Sequence, residues 1–408
     1  MAAMVEEGTV VGHRVYMEFD FGKLYMTPRG FAVATSSRAK KSTGLLYPSM
    51  DIVVSISNQF LHPTNIQPSP ATPNPFNVTV PFTILSTSAT PEGFFDSLCD
   101  ACPVGKPRRC VVHFQDEWSR WFAEEESKRY MSGSIEAYVV ACDGRPESRK
   151  LSGKTEKSHG ELSLIALHTA VQESYEKVEQ PWHFTSGLIP RHFVRIGKVK
   201  KYYPPALKNP NPVVSIDFVD KLKAFAEYYD QYDIHTVCSW SPEAQKAFDR
   251  WCIRNDKLGE KEDTAVQVIH SRAENLFCIM AMAYAISENV YRPNCPPTIT
   301  MDLAHFKKIA KHIKPYIDDA IELYGGCGQR HIKAVRRILV RLGGIKVPLW
   351  AVSKQFTNSD FGDGDDFERA LRSLVEQEEI IVDETPNMLG RPGRIISIIT
   401  DISEKVKK

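Results

Sequence analysis

The chain has 408 residues, 42% hydrophobic and 25% charged, enough to bury one large core or two to three ordinary ones. Its formal net charge of +1 gives no global pull toward nucleic acid, so any such binding has to come from local patches. No apolar run reaches membrane-spanning length and no charged start leads into an apolar run. The odd number of cysteines, nine, fits a reducing, cytoplasmic compartment rather than a disulfide framework.

Residues 1–30 hold a polar start followed by RVYMEFDFGKLYMTP, whose alternation around Phe-Gly-Lys predicts a hairpin at the edge of the sheet that follows. The stretch 31–44, FAVATSSRAKKSTG, is an apolar strand followed by a polar turn, and LLYPSMDIVVSIS after it reads as a helix. Strand, loop and helix in that order suit a triphosphate, which needs backbone N–H donors, a helix N-terminus, an ammonium and a hydroxyl on its magnesium. Lys41 supplies the ammonium for the β and γ phosphates and Ser42 the hydroxyl, with Ser36, Ser37, Arg38, Lys40 and Thr43 completing the candidate ATP loop. The usual pattern has glycine six places and one place before the lysine; here those places hold Thr35 and Lys40.

Proline-rich 61–81 reads as an exposed loop. FTILSTS at 82–88 is a strand, and Thr90, Pro91 and Glu92 then supply an N-cap, a first-turn proline and a first-turn carboxylate for the helix GFFDSLCDA. In 109–118, RCVVHFQDEW, a buried-type strand ends in Asp116 and Glu117. A P-loop ATPase places one carboxylate there on magnesium and a second beside the attacking water. Cys99, Cys102 and Cys110 form a C-x-x-C with a third thiol nearby. Zinc would need a fourth ligand such as Cys142 or His113, and without a second C-x-x-C pair the cysteines read as ordinary reduced thiols. Trp118, Trp121 and Phe122 beside the strand read as core. Residues 145–161 lack apolar periodicity and carry Arg145, Arg149, Lys150, Lys154 and Lys157; LSLIALHTA after them is a buried strand ending in His168 and Thr169.

The succession AKKST, ATPEGFFDSL, VVHFQDEW, ELSLIALHTA and SGLIPRHFVRI resembles the RecA-like P-loop ATPase part of the primase-helicase proteins of phages, plasmids and integrated elements. Some members of that family carry a glycine-poor lysine loop. The resemblance covers roughly residues 30–290, and too little chain precedes the loop to hold a primase domain. It implies that 145–161 is a DNA-contacting loop, with Arg149, Lys150, Lys154 and Lys157 neutralising phosphates of single-stranded DNA without reading sequence. The alternative for that segment is a solvated surface loop. It also implies a γ-phosphate sensor at the end of the next strand, assigned to Thr169, with satisfied core polarity as the alternative there, and an arginine finger at Arg191 acting on a neighbouring subunit. An arginine tying down its own loop is the alternative for Arg191.

The proline-rich 202–212 reads as a boundary, and from 213 to 325 the pattern turns largely helical. Ser241, Pro242 and Glu243 start one helix; Ala265 to Ile286 is another, with NLFCIMAMAYAI as its buried part and Arg272 read as exposed rather than as a second phosphate sensor. A helix from Asp302 is expected to break at Pro315 and stop at Gly325-Gly326. The last eighty residues give three helices and two strands, IIVDE and RIISIIT, in an order that resembles a winged helix. Its third helix is acidic, so DNA contact would fall on the wing, Arg391 and Arg394, and a protein-docking role is the alternative.

The fold class is therefore α/β. A RecA-like P-loop ATPase sheet with an N-terminal hairpin spans 1–210, a helical region 211–328 and a winged-helix domain 329–408. The functional expectation is an ATP- and Mg2+-dependent, helicase-like motor on single-stranded DNA. It would belong to the replication system of a mobile element, as a homo-oligomer such as a hexamer, with a separate primase or replication protein as partner and no membrane. The alternative is a non-hydrolysing winged-helix DNA-binding or adaptor protein with a degenerate nucleotide site.

Overall fold

The structure, a computed structural model, describes residues 1–20, 22–34, 46, 49–54, 82–85, 91–127, 133–150, 156–197, 216–231, 235–260, 262, 264–288, 297–358, 364–376, 380–386 and 392–398. They form two compact units, residues 1–178 with 182–321, and residues 179–181 with 322–408.

In chain order the first unit begins with α1 (Ala2–Val11), β1 (Val15–Phe19), β2 (Gly22–Tyr25), β3 (Arg29–Ala34) and β4 (Phe82–Ile84). There follow α2 (Pro91–Ala101), β5 (Arg109–Gln115), α3 (Trp118–Ser127), α4 (Ser134–Asp143), β6 (Glu147–Lys150), β7 (Glu156–His159) and β8 (Leu162–Val171). Next come α5 (Gln172–Val178), α6 (Pro181–Thr185), a short 3-10 turn at Ile189–Arg191, β9 (Phe193–Gly197), α7 (Ile216–Gln231), β10 (Thr236–Trp240), α8 (Pro242–Gly259), α9 (Thr264–Ser287) and β11 (Thr298–Met301). The helix α10 (Leu303–Arg341) leads to β12 (Val347–Pro348), α11 (Leu349–Asn358), α12 (Gly364–Glu376), β13 (Ile380–Pro386) and β14 (Pro392–Ile398).

The central sheet has the order β4-β5-β8-β3-β9, and every neighbouring pair is parallel. Parallel strands need crossovers and helices on both faces, which is why β3, β5 and β8 read as near-continuous apolar runs and are buried along almost their whole length. The pleat sorts the two faces. Cys110 faces α1, its Sγ lying 3.4 Å from the Gly8 carbonyl. His113 and His168 face the other way, toward Phe94 of α2, Tyr138 of α4 and Trp118 of α3. Gly8 lets α1 come close, since a Cβ there would stand 2.6 Å from the Pro28 ring. A second sheet, β11-β10-β1-β2, adds the antiparallel β1–β2 hairpin to two parallel strands from far along the chain.

Several sequence expectations change here. The hairpin forms, but in the second sheet and not at the edge of the central one. The start of the chain is a buried helix, with Val5, Val10 and Val11 almost fully covered. Residues 216–321 are not a separate helical region: β10 pairs with β1, and Asp319 of α10 accepts from the Ile196 N–H and pairs with Arg195 of β9. α10 continues through Pro315 and Gly325-Gly326 to Arg341, so the first helix of the C-terminal module is its last part and the unit boundary falls at 321/322 rather than 328/329. The C-terminal unit has the expected helices and hairpin, plus a short third strand: the sheet runs β12-β14-β13, all antiparallel, over a core that includes Val335, Leu339, Phe356, Phe367 and Leu374. Ser241 caps α8 as expected, accepting from Ala244 N–H at 3.3 Å. The expected Thr90 cap and the loops 61–81 and 202–212 lie outside the described residues.

The first unit buries ionisable groups that make stability depend on pH. Burial pushes His13, His183 and His192 down to about 3 and His113 to about 4, and holds His168 well below its ordinary value. These histidines are neutral when folded but titrate near 6.5 when unfolded, so the stability they contribute at neutral pH is lost as pH falls. Glu7, raised to about 7 by burial, and Glu6, raised likewise, act in the opposite sense, and five histidines outweigh two glutamates. Denaturant unfolding at pH 5.5 should therefore show a stability lower than at pH 7.5 by on the order of 3 kcal/mol, with net proton uptake on unfolding. Equal or greater stability at pH 5.5 would contradict this assignment.

Candidate functional site

From β3 the chain runs to β4 at one edge of the central sheet, and from β8 it runs to β9 at the other edge. Neighbouring strands whose connections leave in opposite directions open a crevice beyond their carboxyl ends, and open α/β sheets bind ligands there. The register brings three segments to this edge. Ala32 pairs with Thr169 and Ala34 with Val171, while Gln115 pairs with His168, so Asp116 extends level with Thr169. β5 lies two strand spacings from β3, about 10 Å.

Phe114, Asp116, Leu167 and Thr169 share one face by the pleat, and the Thr169 hydroxyl donates to Asp116 Oδ1. The Glu117 N–H donates to the same oxygen at 3.1 Å. Both carboxylates are half-buried, and the Val171 N–H reaches Glu117 Oε2 at 3.4 Å. Glu117 has φ 52, left-handed backbone that a non-glycine residue rarely adopts. Its carbonyl accepts from the Arg120 N–H at 2.9 Å in the first turn of α3, so the sharp change from strand to helix falls on Glu117 itself. Strain of this kind, about 1 kcal/mol, points to a residue kept for what its side chain does.

Beneath this edge lies a rigid polar-aromatic core. His113 Nδ1 and His168 Nε2 are 3.0 Å apart, so one donates to the other, and the Tyr138 hydroxyl is 3.4 Å from the same His168 nitrogen. Trp118 packs on His168 with ring centroids 4.0 Å apart. His168 thus belongs to the core while its neighbour Thr169 faces the carboxylates.

Asp116, Glu117 and Thr169 are brought together. The loop residues Ser36, Ser37, Arg38, Lys40, Lys41, Ser42 and Thr43 lie outside the described residues; in sequence they follow β3, which ends at Ala34. Residues 147–150 and 156–159 form a hairpin rather than a plain loop. Arg149 is bonded to Glu147, and Lys157 pairs with Asp96 at 2.9 Å. The side chain of Lys150, and Lys154 and Arg391 entirely, lie outside the described residues, while Arg394 is exposed on β14. Trp118 and Phe122 are fully buried, as the core reading expects.

Arg191 is placed elsewhere. It precedes β9 at the amino edge of the sheet, is 6% exposed, and makes a bidentate pair with Asp143 at 2.9 and 3.2 Å. Its Nη1 also donates to the Gly187 carbonyl. This is the loop-tying arrangement rather than a guanidinium extended toward a neighbour. Arg272 is half-buried at the same edge instead of exposed. Sequence reasoning passed over Arg29 and Arg108 beside them. The signal was available: Arg29 and Arg109 start parallel strands, Arg108 immediately precedes one, and the residue before such a strand sits at the amino edge.

No family model and no curated protein matches this chain. Among solved structures, that of the Aeropyrum pernix ORC1 protein in complex with DNA is similar at 9% identity, covering 100% of this chain and 90% of that one. Its TM-score is 0.22, a likeness too loose to argue from.

The strained carboxylate gives a test independent of any ligand. Glu117→Gly removes the left-handed strain together with the bond from the Val171 N–H and the other contacts of the side chain, so thermal unfolding without ligand should show a stability within about 1 kcal/mol of wild type. A loss above about 1 kcal/mol would mean that the Glu117 side chain serves the fold.

Proposed function

We propose that the chain binds ATP and Mg2+ at the carboxyl ends of β3, β5 and β8 and hydrolyses it as a motor acting on DNA. One observation carries the reading: Asp116, held by Thr169 and followed by the strained Glu117, stands at the same sheet edge where β3 ends, ahead in sequence of Lys41 and Ser42. In this reading Lys41 neutralises the β and γ phosphates, and Ser42 and Asp116 hold magnesium. Thr169 orients Asp116 and senses the γ-phosphate; Glu117 polarises the attacking water. Magnesium supplies charge neutralisation between the phosphates when bound.

The finer parts of the reading are a replicative helicase role in a mobile element, a ring of identical subunits and a winged helix in residues 322–408. They rest on the order of sequence motifs and on the helix and hairpin order of the C-terminal unit. For DNA contact, Arg149 and Lys157 already have carboxylate partners, so phosphate neutralisation would fall on Lys150, Lys154, Arg391 and Arg394. These in-chain pairs, with Arg191 held by Asp143, are what favour the second reading, a nucleotide-binding adaptor that does not turn over.

Two variants separate binding from chemistry. Lys41→Ala should abolish ATP binding in a fluorescent-nucleotide titration while leaving unliganded thermal unfolding nearly unchanged. Glu117→Gln should bind ATP and magnesium like wild type and lose most phosphate release, by two orders of magnitude or more. Full turnover in Glu117→Gln would remove Glu117 from the mechanism. Absence of turnover in wild type, with and without single-stranded DNA, would favour the adaptor.

For the DNA surface, replacing Lys150, Lys154, Arg391 and Arg394 with glutamine should weaken single-strand affinity and flatten its salt dependence, since each lost phosphate contact releases fewer counterions. An unchanged salt slope would move the DNA contact elsewhere.

A further inference from the structure

The amino edge of the central sheet holds a second, oppositely built feature. β3 is six residues long, so Arg29 lies about 17 Å from the carboxyl edge. A cavity of about 430 Å3 opens there between β2, the first residues of β3 and β8, the end of α4 and the side of α9. Lys23, Arg29, Arg108, Arg145, Arg191 and Arg272 line it, with Asp143 as the one carboxylate in its wall.

In-chain acceptors account for only part of that charge. Arg191 takes Asp143, and Arg108 reaches the exposed Glu161 at 3.3 Å while lying over the Tyr25 ring. Lys23 lies over the Tyr16 ring, 3.9 Å from Glu18. Arg29 is 5% exposed and bonded to neutral oxygens only, the carbonyls of Cys142, Leu164 and Arg191 and the Thr27 hydroxyl. The Cys142 carbonyl belongs to the C-terminus of α4, where Gly144 at φ 66 ends the helix, and a helix end offers about half a negative charge. Arg145 and Arg272 have no carboxylate within 4 Å among the described residues. Arg272 is half-buried; burial and the neighbouring Arg191 lower its proton affinity, and Asp143 offsets this in part. Six cations gathered around one wall carboxylate, two of them deeply buried, leave an excess of positive charge, and such a group is balanced when an anion enters.

We infer that this cavity is a binding site for a small phosphate-bearing anion, a diphosphate such as pyrophosphate or the phosphates of a free nucleotide. Convergent guanidiniums match phosphate oxygens in planar, bidentate fashion, and Arg145 and Arg272 are the two whose donors remain open to it. A concave volume of about 430 Å3 fits a small ligand and is closed to a duplex. The site is distinct from the ATP crevice, and it stands or falls apart from the proposed hydrolysis.

The test uses the full chain carrying Lys41→Ala, so that the lysine loop contributes nothing, and compares it with the same chain also carrying Arg145→Gln and Arg272→Gln. Calorimetric titration with inorganic pyrophosphate, with ADP and with a single-stranded oligonucleotide distinguishes the sources. The proposal expects pyrophosphate or ADP to bind the Lys41→Ala chain with 1:1 stoichiometry, weakened at least tenfold by the two glutamines. Thermal unfolding of the unliganded variant should stay within a few degrees of its parent. Neither small anion binding, binding that ignores the two substitutions, or sulfate binding equally well would overturn it, and so would binding of the oligonucleotide alone. If the glutamine pair unfolds the chain, Arg145→Glu alone, at an exposed position, must reduce affinity for the proposal to stand. Failure of ATP hydrolysis in wild type would leave this result unaffected, which separates the two claims.

Discussion

The parallel pairing of β8 with both β5 and β3 is the constraint on which the rest of the first unit depends. It joins β8 to segments about fifty and more than a hundred residues away, and one register sets both the Thr169–Asp116 hydrogen bond on one face and the His113–His168 contact on the other. A slip of one residue would exchange the faces, turning Asp116 toward the aromatics and the histidines toward the opposite face. The neutral histidines and the large rings around Trp118 therefore fix the position of the carboxylates as much as the hydrogen bond does.

The same sheet separates two chemistries along its strands. Carboxylates and a hydroxyl gather where the strands end; arginines gather where they begin. The residues immediately before parallel strands share one edge and those after them the other, so a protein can hold opposite charges apart by about 17 Å with short segments alone. The end of α4 supports the cationic edge by presenting its carbonyls to Arg29 and Arg108.

The central strands were legible in the sequence because both faces are buried, which leaves apolar runs bounded by polar residues: FAVA, VVHF and LSLIAL each fall in the strand expected. Asp116 and Thr169 were legible for the same reason, as polar residues ending such runs. Other features escaped. α1 looked polar because Glu6 and Glu7 are buried against Ser49 and Ser287, where their carboxyls are held by hydroxyl donors. The second sheet could not be foreseen, since β1 pairs with a strand over two hundred residues away and nothing local encodes that partner. Pro315 and the two glycines suggested helix ends, yet α10 runs on because its apolar stripe, including Ile309, Ile313, Ile317 and Leu323, is packed and outweighs local propensity. Arg191 was read as reaching outward when its partner, Asp143, lies on an element whose proximity only the fold creates.

The central claim is that the triphosphate sits at the carboxyl edge. Structure determination of the full chain with a non-hydrolysable ATP analogue and Mg2+ tests it most directly. The account predicts the triphosphate beyond the ends of β3 and β8, with magnesium on Asp116 directly, at about 2.1 Å, or through one water. A triphosphate found only in the arginine-lined cavity at the amino edge, with no magnesium at Asp116, would contradict it.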